Sequence, residues 1–373
     1  MNTTLYDLSL TLSHRGTQRE SYANELVDLY DKFIGGERFS WTTHQRLKRL
    51  LGEGGQGVVY LSERRGTDDF TLPIAVKIFS PSRFKTASEY DEAMKRMAHI
   101  AARVAQIQHD NLLNVQNFTD RNRIRIMVME LVDGFDLRYL LNNSLVERVE
   151  DRVSQARWEY LNRVVITAGP HQPKFKPGVA VAIVRDCLAG LAALHREGIV
   201  HGDVKPANMM LKCTGIAKLV DIGSAFEVED PPANQSCTPR YSAPEVLEGA
   251  ECTPRSDLAS LGYVLIEMLS GEPILDGHCT YAELLEAKRA LPHILEEILP
   301  EEVSVNKLLM NFCRGLIAPD PVKRFPSAEA ADYVTGGAAA FHRQLVLTDL
   351  ASEYDNDIRL WLEELREMEE HAD

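Results

Sequence analysis

Residues 201–208 read His-Gly-Asp-Val-Lys-Pro-Ala-Asn, and the triplet Asp221-Ile222-Gly223 follows eighteen residues after Asp203. A carboxylate such as that of Asp203 can orient or deprotonate an attacking hydroxyl group. Asn208 and Asp221 offer the oxygen ligands that Mg2+ takes when it bridges phosphate groups, and Lys205 can neutralise charge on a transferred phosphoryl group. Each residue alone could be an ordinary surface residue, but their joint spacing indicates a site for phosphoryl transfer.

A second motif lies upstream, where residues 52–59 read Gly-Glu-Gly-Gly-Gln-Gly-Val-Val between two strand-like runs, 47–51 and 58–63. Glycines allow the backbone to approach phosphate oxygens closely and to offer its N–H groups without side-chain clash. A plain glycine-rich hairpin is the alternative. Because a strand and not a helix follows, the motif differs from a dinucleotide-binding fingerprint and predicts a hairpin that covers phosphates. The residues expected to line the nucleotide there are Gly52, Glu53, Gly54, Gly55, Gln56 and Gly57.

Lys77 ends the apolar run Ile74-Ala75-Val76-Lys77. A lysine in such a run needs an anionic partner if it is buried, and a phosphate together with a carboxylate would serve. The carboxylate should come from the next helix, which begins near Thr86. A capping box there would occupy Glu89 at the helix N-terminus. Glu92, about one turn further along, is therefore the candidate partner, with Glu89 as the alternative.

Composition and charge exclude several classes of protein. The 373 residues contain 45% hydrophobic and 26% charged residues, which is typical of a globular chain and not of a disordered one. The net charge of −14 disfavours binding to nucleic acid or to anionic membrane surfaces. The six cysteines lie far apart without metal-ligand spacing, and neither a signal peptide nor a membrane span is evident. We therefore expect a cytoplasmic protein without a membrane span.

The hydrophobic patterns divide the chain into parts. Residues 1–41 form an extension with a strand-like arm at Tyr6–Leu12 and an amphipathic helix between Tyr22 and Phe33. Short apolar runs dominate 42–132, and helical patterns dominate 133–335. Residues 143–177 are predicted to be an insertion, either a docking surface or a solvated helical hairpin. The acidic tail, 336–373, carries a helical apolar stripe that must be buried, on the chain itself or on a partner.

Taken together, the motifs resemble those of the eukaryotic-type serine/threonine protein kinase family, in the form found in bacteria, from about Gln45 to Tyr333. The resemblance implies an α+β fold of two lobes: a small β-rich N-lobe (42–132) with one main helix, and a larger helical C-lobe (133–335). It implies ATP and Mg2+ as cofactors, Asp203 in the base position and protein serine or threonine hydroxyls as substrates. Further matches are Cys237–Glu245, Ser256–Gly262 and Asp320–Arg324, the last pairing Arg324 with Glu245.

The resemblance also assigns roles to residues between the two lobes. It makes Met129 the gatekeeper, places the backbone of Glu130–Val132 against adenine and directs Asp136 to the ribose. Ordinary core packing is the alternative role for the apolar residues. Lys205 and Thr238 match the serine/threonine branch of the family rather than the tyrosine branch. The apolar side chains expected to enclose the base are Val59, Ala75 and Met210.

Two departures from the family pattern, at Gly202 and after Glu92, leave other hypotheses open. Gly202 replaces the arginine that pairs with activation-segment phosphate, so we expect activity that does not depend on such a phosphate. His-Gly-Asp is also found in kinases of small molecules related to aminoglycoside and choline phosphotransferases, which is the main alternative function. The 17 residues from Glu92 to His109 are more than the helix and loop between these two positions usually need in the family. A pseudokinase that serves as an interaction module is the third hypothesis. A regulatory partner could bind the N-terminal arm, the insertion or the tail.

Overall fold

A computed structural model describes residues 21–35, 47–232, 237–277, 280–347 and 354–370. The strand-like arm predicted at Tyr6–Leu12 lies outside these residues, whereas the helix predicted between Tyr22 and Phe33 is confirmed as α1 (Ser21–Ile34).

A five-stranded antiparallel sheet with the order β1-β2-β3-β5-β4 forms the first part of the fold. A long helix, α2 (Ala87–Val104), is inserted between the third and fourth strands. It begins at Thr86, whose Oγ1 accepts a hydrogen bond from the Glu89 N–H at 3.1 Å, as the sequence predicts. The strands are β1 (Arg49–Gly54), β2 (Gly57–Arg65), β3 (Thr71–Phe79), β4 (Val115–Arg121) and β5 (Ile124–Glu130).

Both faces of the sheet are covered at β3, which explains why this strand is apolar apart from Thr71 and Lys77. Ile74, Val76 and Ile78 alternate with Ala75 and Lys77 along β3, so the two sets point to opposite faces. The first set packs with Tyr30 of α1 in one apolar cluster. Helix α1 therefore adds a second helix to the predicted one, and it lies on the face away from Lys77.

The remainder of the chain is mostly helical, with α6 and α8 at its centre. Its helices are α3 (Leu137–Leu140), α4 (Asn143–Glu150), α5 (Gln155–Val164), α6 (Pro177–Arg196), α7 (Pro244–Leu247), α8 (Pro254–Ser270), α9 (Tyr281–Ile298), α10 (Glu301–Ser304), α11 (Lys307–Ile317), α12 (Ala328–Tyr333), α13 (Ala338–Leu347) and α14 (Tyr354–Glu370). Its short strands are β6 (Gly134–Asp136), β7 (Ile166–Thr167), β8 (Lys174–Phe175), β9 (Ile199–Val200), β10 (Met209–Lys212), β11 (Ala217–Leu219) and β12 (Phe226–Glu227). The predicted α+β fold with a β-rich lobe and a larger helical lobe is confirmed.

Helix α6 is long and apolar enough to cross a bilayer by length and composition, and it is the one such helix within the described residues. Most of its residues are buried against the rest of the chain, among them Leu188 and Leu191. A core helix of a folded lobe has the same composition, because it is covered on all sides.

The insertion and the tail pack against each other. Helices α4 and α5 and the β7-β8 hairpin form the insertion. Trp361 of α14 is 1% exposed and its ring meets Phe175 edge to face, with centroids 5.9 Å apart. Arg157 of α5 holds Glu364 through Nε at 2.6 Å and Nη2 at 3.2 Å. The tail therefore buries its apolar stripe on its own chain, against the insertion and helix α6.

Candidate active site

The glycine-rich motif forms the turn between β1 and β2. Gly54 pairs with Gly57 in the antiparallel register, which leaves Gly55 and Gln56 at the tip. Gly57 has φ +137°, and a Cβ there would lie 2.0 Å from the Ile78 carbonyl oxygen, so only glycine fits. Gly52 and Gly54 face open space, where no atom lies within 4 Å of an added Cβ. The predicted hairpin is therefore present, and Gln56 carries the one side chain of its tip.

Lys77 lies on β3 beneath this turn and is 3% exposed. Its ammonium nitrogen donates to the Gln56 side-chain oxygen at 2.8 Å and forms an ion pair with Asp221. Lys77, the glycine-rich turn and the Asp221 segment therefore meet at one point, although Lys77 and Asp221 are 144 residues apart in the chain.

The structure does not bring Glu92 or Glu89 to Lys77, which corrects the expected pairing. Both side chains are exposed. The Glu89 carboxylate accepts from the Lys85 N–H at 2.9 Å, and Glu92 lies 3.5 Å from the Ser88 hydroxyl. The physical reason is helix phase. Glu92 lies two residues from the buried Tyr90 and from the buried Met94, which places it about 200° around the helix from either one.

The loop of residues 201–208 is held from below by α8. The Asp257 carboxylate accepts from the backbone N–H groups of His201 and Gly202, both at 2.9 Å, and from His195 at 2.9 Å. Gly202 has φ +75°, and a Cβ there would lie 2.9 Å from the Ser224 carbonyl oxygen. Glycine therefore suits this position for conformational reasons in addition to its lack of charge.

Asp203 is 6% exposed and is the centre of a polar cluster. Its Oδ1 accepts from the Thr238 hydroxyl at 2.6 Å, and its Oδ2 lies 2.8 Å from the Lys205 ammonium. Lys205 also donates to the Thr238 hydroxyl at 3.0 Å. The Asn208 amide donates to Asp203 Oδ2 at 3.2 Å and to the Asp203 carbonyl oxygen at 2.8 Å. All four residues were predicted, and the structure brings them together.

Asn208 and Asp221 fit a magnesium ion that is shared with a nucleotide. Burial acts to raise the pKa of the Asp221 carboxyl, but Lys77, the Gly223 N–H and Lys205 together lower the pKa to about 2, which favours the anion at neutral pH. The Asn208 NH2 group is committed to Asp203, which leaves its side-chain oxygen as the potential ligand. Within the described residues no three His, Cys, Asp or Glu side chains cluster as metal ligands. Mg2+ commonly takes only one or two protein ligands and completes its shell with phosphates and water.

An apolar slot lies where β5 leaves the sheet. Ala75 and Met129, with Val59 and Val132 beside them, form one small cluster, as expected of a pocket for a flat base. Met210 on β10 pairs in register with Asp136. Asp136 accepts the Tyr139 N–H at 2.9 Å, so in this structure its carboxylate caps α3. The cluster also contains Leu131 of the predicted Glu130–Val132 segment and two residues that the sequence analysis did not name, Leu113 and Val220.

A buried ion pair supports the segment that follows Thr238. Arg324 is 3% exposed, and its guanidinium binds the Glu245 carboxylate with two bonds of 2.6 and 2.7 Å. Ser256 donates to the same carboxylate at 2.8 Å. The pairing of Arg324 with Glu245 that the resemblance implied is present. A bidentate ion pair of this kind fixes the relative orientation of the two side chains in addition to pairing their charges.

Several residues of the site were not predicted. Asp257 entered the sequence analysis only within the match at Ser256–Gly262. It is the one charged residue of that stretch, which is the signal that could have identified it. Val220 directly precedes Asp221, so its position in the slot could have been inferred from adjacency. No local sequence pattern predicts that the Gln56 side chain points into the cleft. The same is true of the ion pair between Arg103 of α2 and Glu227 of β12.

Comparison with known proteins agrees with this geometry. The family described as protein kinase domain matches residues 45–334. The serine/threonine-protein kinase PknD of Mycobacterium tuberculosis is 33% identical over 232 residues, which cover 61% of this chain and 30% of that protein. The probable serine/threonine-protein kinase PknB of Bifidobacterium longum is 29% identical over 335 residues, covering 82% of this chain and 42% of that protein.

The chain spans about a third of the length of the first of these relatives and less than half of the second. The family match covers more than three quarters of the chain and includes every motif described above. The chain therefore belongs to the protein kinase domain family.

Proposed function

We propose that the protein transfers the γ-phosphate of Mg-ATP to serine or threonine hydroxyls of protein substrates. The observation that carries this proposal is the convergence of Lys205 and Thr238 on the Asp203 carboxylate. The names of the relatives, all serine/threonine kinases, support the same class of acceptor.

Asp203 accepts the proton of the acceptor hydroxyl and aims its oxygen at the phosphoryl group. Thr238 and Lys205 restrict the Asp203 carboxylate to one orientation, and the buried position of Asp203 strengthens each of these bonds. Lys205 is close enough to Asp203 to neutralise negative charge that develops on the transferred group. Catalysis of this kind depends on positioning and electrostatics more than on covalent chemistry.

The remaining site residues bind the nucleotide. Bound Mg-ATP supplies the phosphoryl group and the metal charge. The slot formed by Ala75, Met129 and their neighbours takes the adenine, and the Glu130–Val132 backbone meets its polar edge. Lys77 binds the α- and β-phosphates under the glycine-rich turn, while Asn208 and Asp221 hold the metal.

The substrate platform distinguishes a protein kinase from a kinase of small molecules. The segment from Thr238 to Glu245 is held by Arg324 and Ser256, and the Tyr241 hydroxyl donates to Glu267 at 2.8 Å. A rigid surface beside Asp203 suits an extended peptide better than a small metabolite, which needs a closed pocket. We further propose a cytoplasmic location, which the absence of disulfides among the five described cysteines supports.

The experiment compares the wild type with Asp203→Asn in the transfer of labelled γ-phosphate to a serine/threonine peptide library and to a panel of metabolites. We expect the variant to lose about 10²- to 10⁴-fold in rate, with Mg-ATP affinity nearly unchanged. Asp110→Asn, which changes an exposed acid outside the site, is the control. Transfer only to metabolites would support the small-molecule alternative. Equal loss of binding and transfer would mean that Asp203 is structural.

A further inference from the structure

Helix α2 offers no acid to Lys77. Its buried face is apolar throughout and consists of Tyr90, Met94, Met97, Ile100, Ala101 and Val104. Its three carboxylates are engaged or exposed elsewhere. Asp91 binds Arg123 at 2.5 Å and Arg125 at 3.0 Å, Glu89 binds the Lys85 N–H, and Glu92 is exposed. A buried ammonium without sufficient acceptors is costly, so Lys77 must find its partners outside this helix.

Gln56 provides one of them from the tip of the glycine-rich turn. Although the residues before it, 51–55, are exposed, the Gln56 side chain points inward and is 8% exposed. Its Oε1 accepts from Lys77 at 2.8 Å and its Nε2 donates to the Ser224 hydroxyl at 2.9 Å. Its own carbonyl oxygen accepts the Ser80 N–H at 2.9 Å, which fixes the backbone from which the side chain extends.

The opposite wall of the cleft is shaped for this side chain. A Cβ added to Gly223 would lie 1.7 Å from Gln56 Oε1, so the amide occupies space that any residue larger than glycine would take. The glycine of the Asp221-Ile222-Gly223 triplet thus admits the glutamine of the glycine-rich turn. Two motifs that are 165 residues apart in the chain are complementary in shape and in hydrogen bonding.

The chemistry of an amide suits this place. Asp221 is the anion beside Lys77, and the proposed magnesium site also draws on it. An amide oxygen accepts the ammonium hydrogen bond without adding negative charge. The electrostatic attraction between the Lys77 ammonium and the phosphates is therefore preserved. A second carboxylate beside Lys77 would weaken that attraction by adding negative charge.

We propose that Gln56 is a positioning residue, which holds the Lys77 ammonium toward the nucleotide phosphates and ties the glycine-rich turn to Ser224. The inference rests on the proposed function for its consequence in catalysis, but its effect on nucleotide binding is separate. Because the same amide contacts both Ser224 and Lys77, the glycine-rich turn closes and Lys77 is oriented together. In this chain the glutamine provides the Lys77 contact that a carboxylate on α2 was expected to make.

The test measures the affinity of the full chain for Mg-ATP and for adenosine by calorimetry, together with peptide phosphorylation. Q56M keeps the length of the side chain and removes the acceptor. We expect Mg-ATP affinity to fall by at least about tenfold, the effect of one hydrogen bond to a charged group, while adenosine affinity is unchanged. Q56E restores an oxygen at the same reach and should recover part of the loss. Q106M, at an exposed glutamine, is the matched control.

Three results would overturn the inference. Unchanged or tighter Mg-ATP binding by Q56M would show that Gln56 obstructs the cleft. An equal loss for adenosine and Mg-ATP would show that it shapes the pocket as a whole. A Q56E protein as weak as Q56M would show that the acceptor is irrelevant. If the wild type transfers no phosphate to peptides but Q56M selectively loses Mg-ATP, the proposed function fails and this inference stands.

Discussion

Arg103 of α2 and Glu227 of β12 form an ion pair that ties the helix of the smaller lobe to the segment after Asp221. His99, one turn earlier on α2, lies 3.4 Å from the same carboxylate. Gly202 cannot provide the guanidinium that would bind a phosphate on this segment. The chain therefore anchors the segment through a charge of its own, and the anchor requires no modification.

Replacement of Arg103 should weaken this anchor. We expect R103M to lower kcat/KM for a peptide roughly two- to fivefold, because a partly exposed ion pair contributes modestly. R96M, at an exposed arginine on the same helix, should have no such effect. The rates are measured at low and at high salt. A loss that is identical at both would contradict an electrostatic origin.

Removal of phosphate should leave activity intact. We expect protein treated with a broad-specificity phosphatase to phosphorylate peptides at the rate of the untreated protein, with mass spectrometry confirming that no phosphate remains. Alanine substitutions would be a poorer test, because Ser224 bonds Gln56 and the Ser242 hydroxyl donates to the Thr238 carbonyl at 2.8 Å. Activity that collapses on treatment and returns with autophosphorylation would refute the expectation.

The buried pair of Arg324 and Glu245 should dominate the stability of the substrate platform. R324M leaves the carboxylate buried without its cation, and we expect it to lower the free energy of unfolding by about 3–5 kcal/mol. Urea denaturation measures the effect, with R196M at an exposed arginine as control. A loss below about 1 kcal/mol, the usual size for an exposed pair, would show that water reaches the Glu245 carboxylate.

Asp186 on α6 should make stability depend on pH. Burial, aided by the nearby Asp355, raises its pKa from 3.8 to about 6, against the Ala217 N–H that donates to it at 2.7 Å. A raised carboxyl pKa favours the folded state most when the group is protonated. The contribution is therefore complete below about pH 4 and is lost as the pH rises through about 6. D186N should gain in unfolding free energy relative to the wild type over this range, by at most about 3 kcal/mol.

Urea unfolding of both proteins at several pH values between 4 and 7.5 measures the difference. Asn can accept the same Ala217 hydrogen bond, so the fold should be preserved. A difference between the two proteins that does not vary with pH would mean that Asp186 is ionised throughout.

The sequence was most informative where function requires neighbours along the chain. Asp203, Lys205 and Asn208 lie within one loop, so their spacing already determines that they converge. The apolar run that ends at Lys77 likewise predicted a buried lysine that needs an anionic partner. The partner of Lys77 was beyond this reasoning. It depends on which face α2 turns toward the sheet, and apolar contacts determine that rotation. It also depends on the Gln56 side chain, which points inward from the tip of the glycine-rich turn. The ranges assigned to the domains remain predictions.

Helix α14 ends beside the connection between the two lobes. The Tyr139 hydroxyl donates to Glu369 at 2.6 Å, and Arg366 donates to Asp133 at 3.1 Å. Asp133 and Tyr139 flank Asp136 in the chain, where the ribose is expected. The C-terminal helix thus braces the first residues of the C-lobe, next to the connection with the N-lobe. We therefore expect the loss of these two contacts to act on the ribose end of the nucleotide site and not on the polar cluster around Asp203.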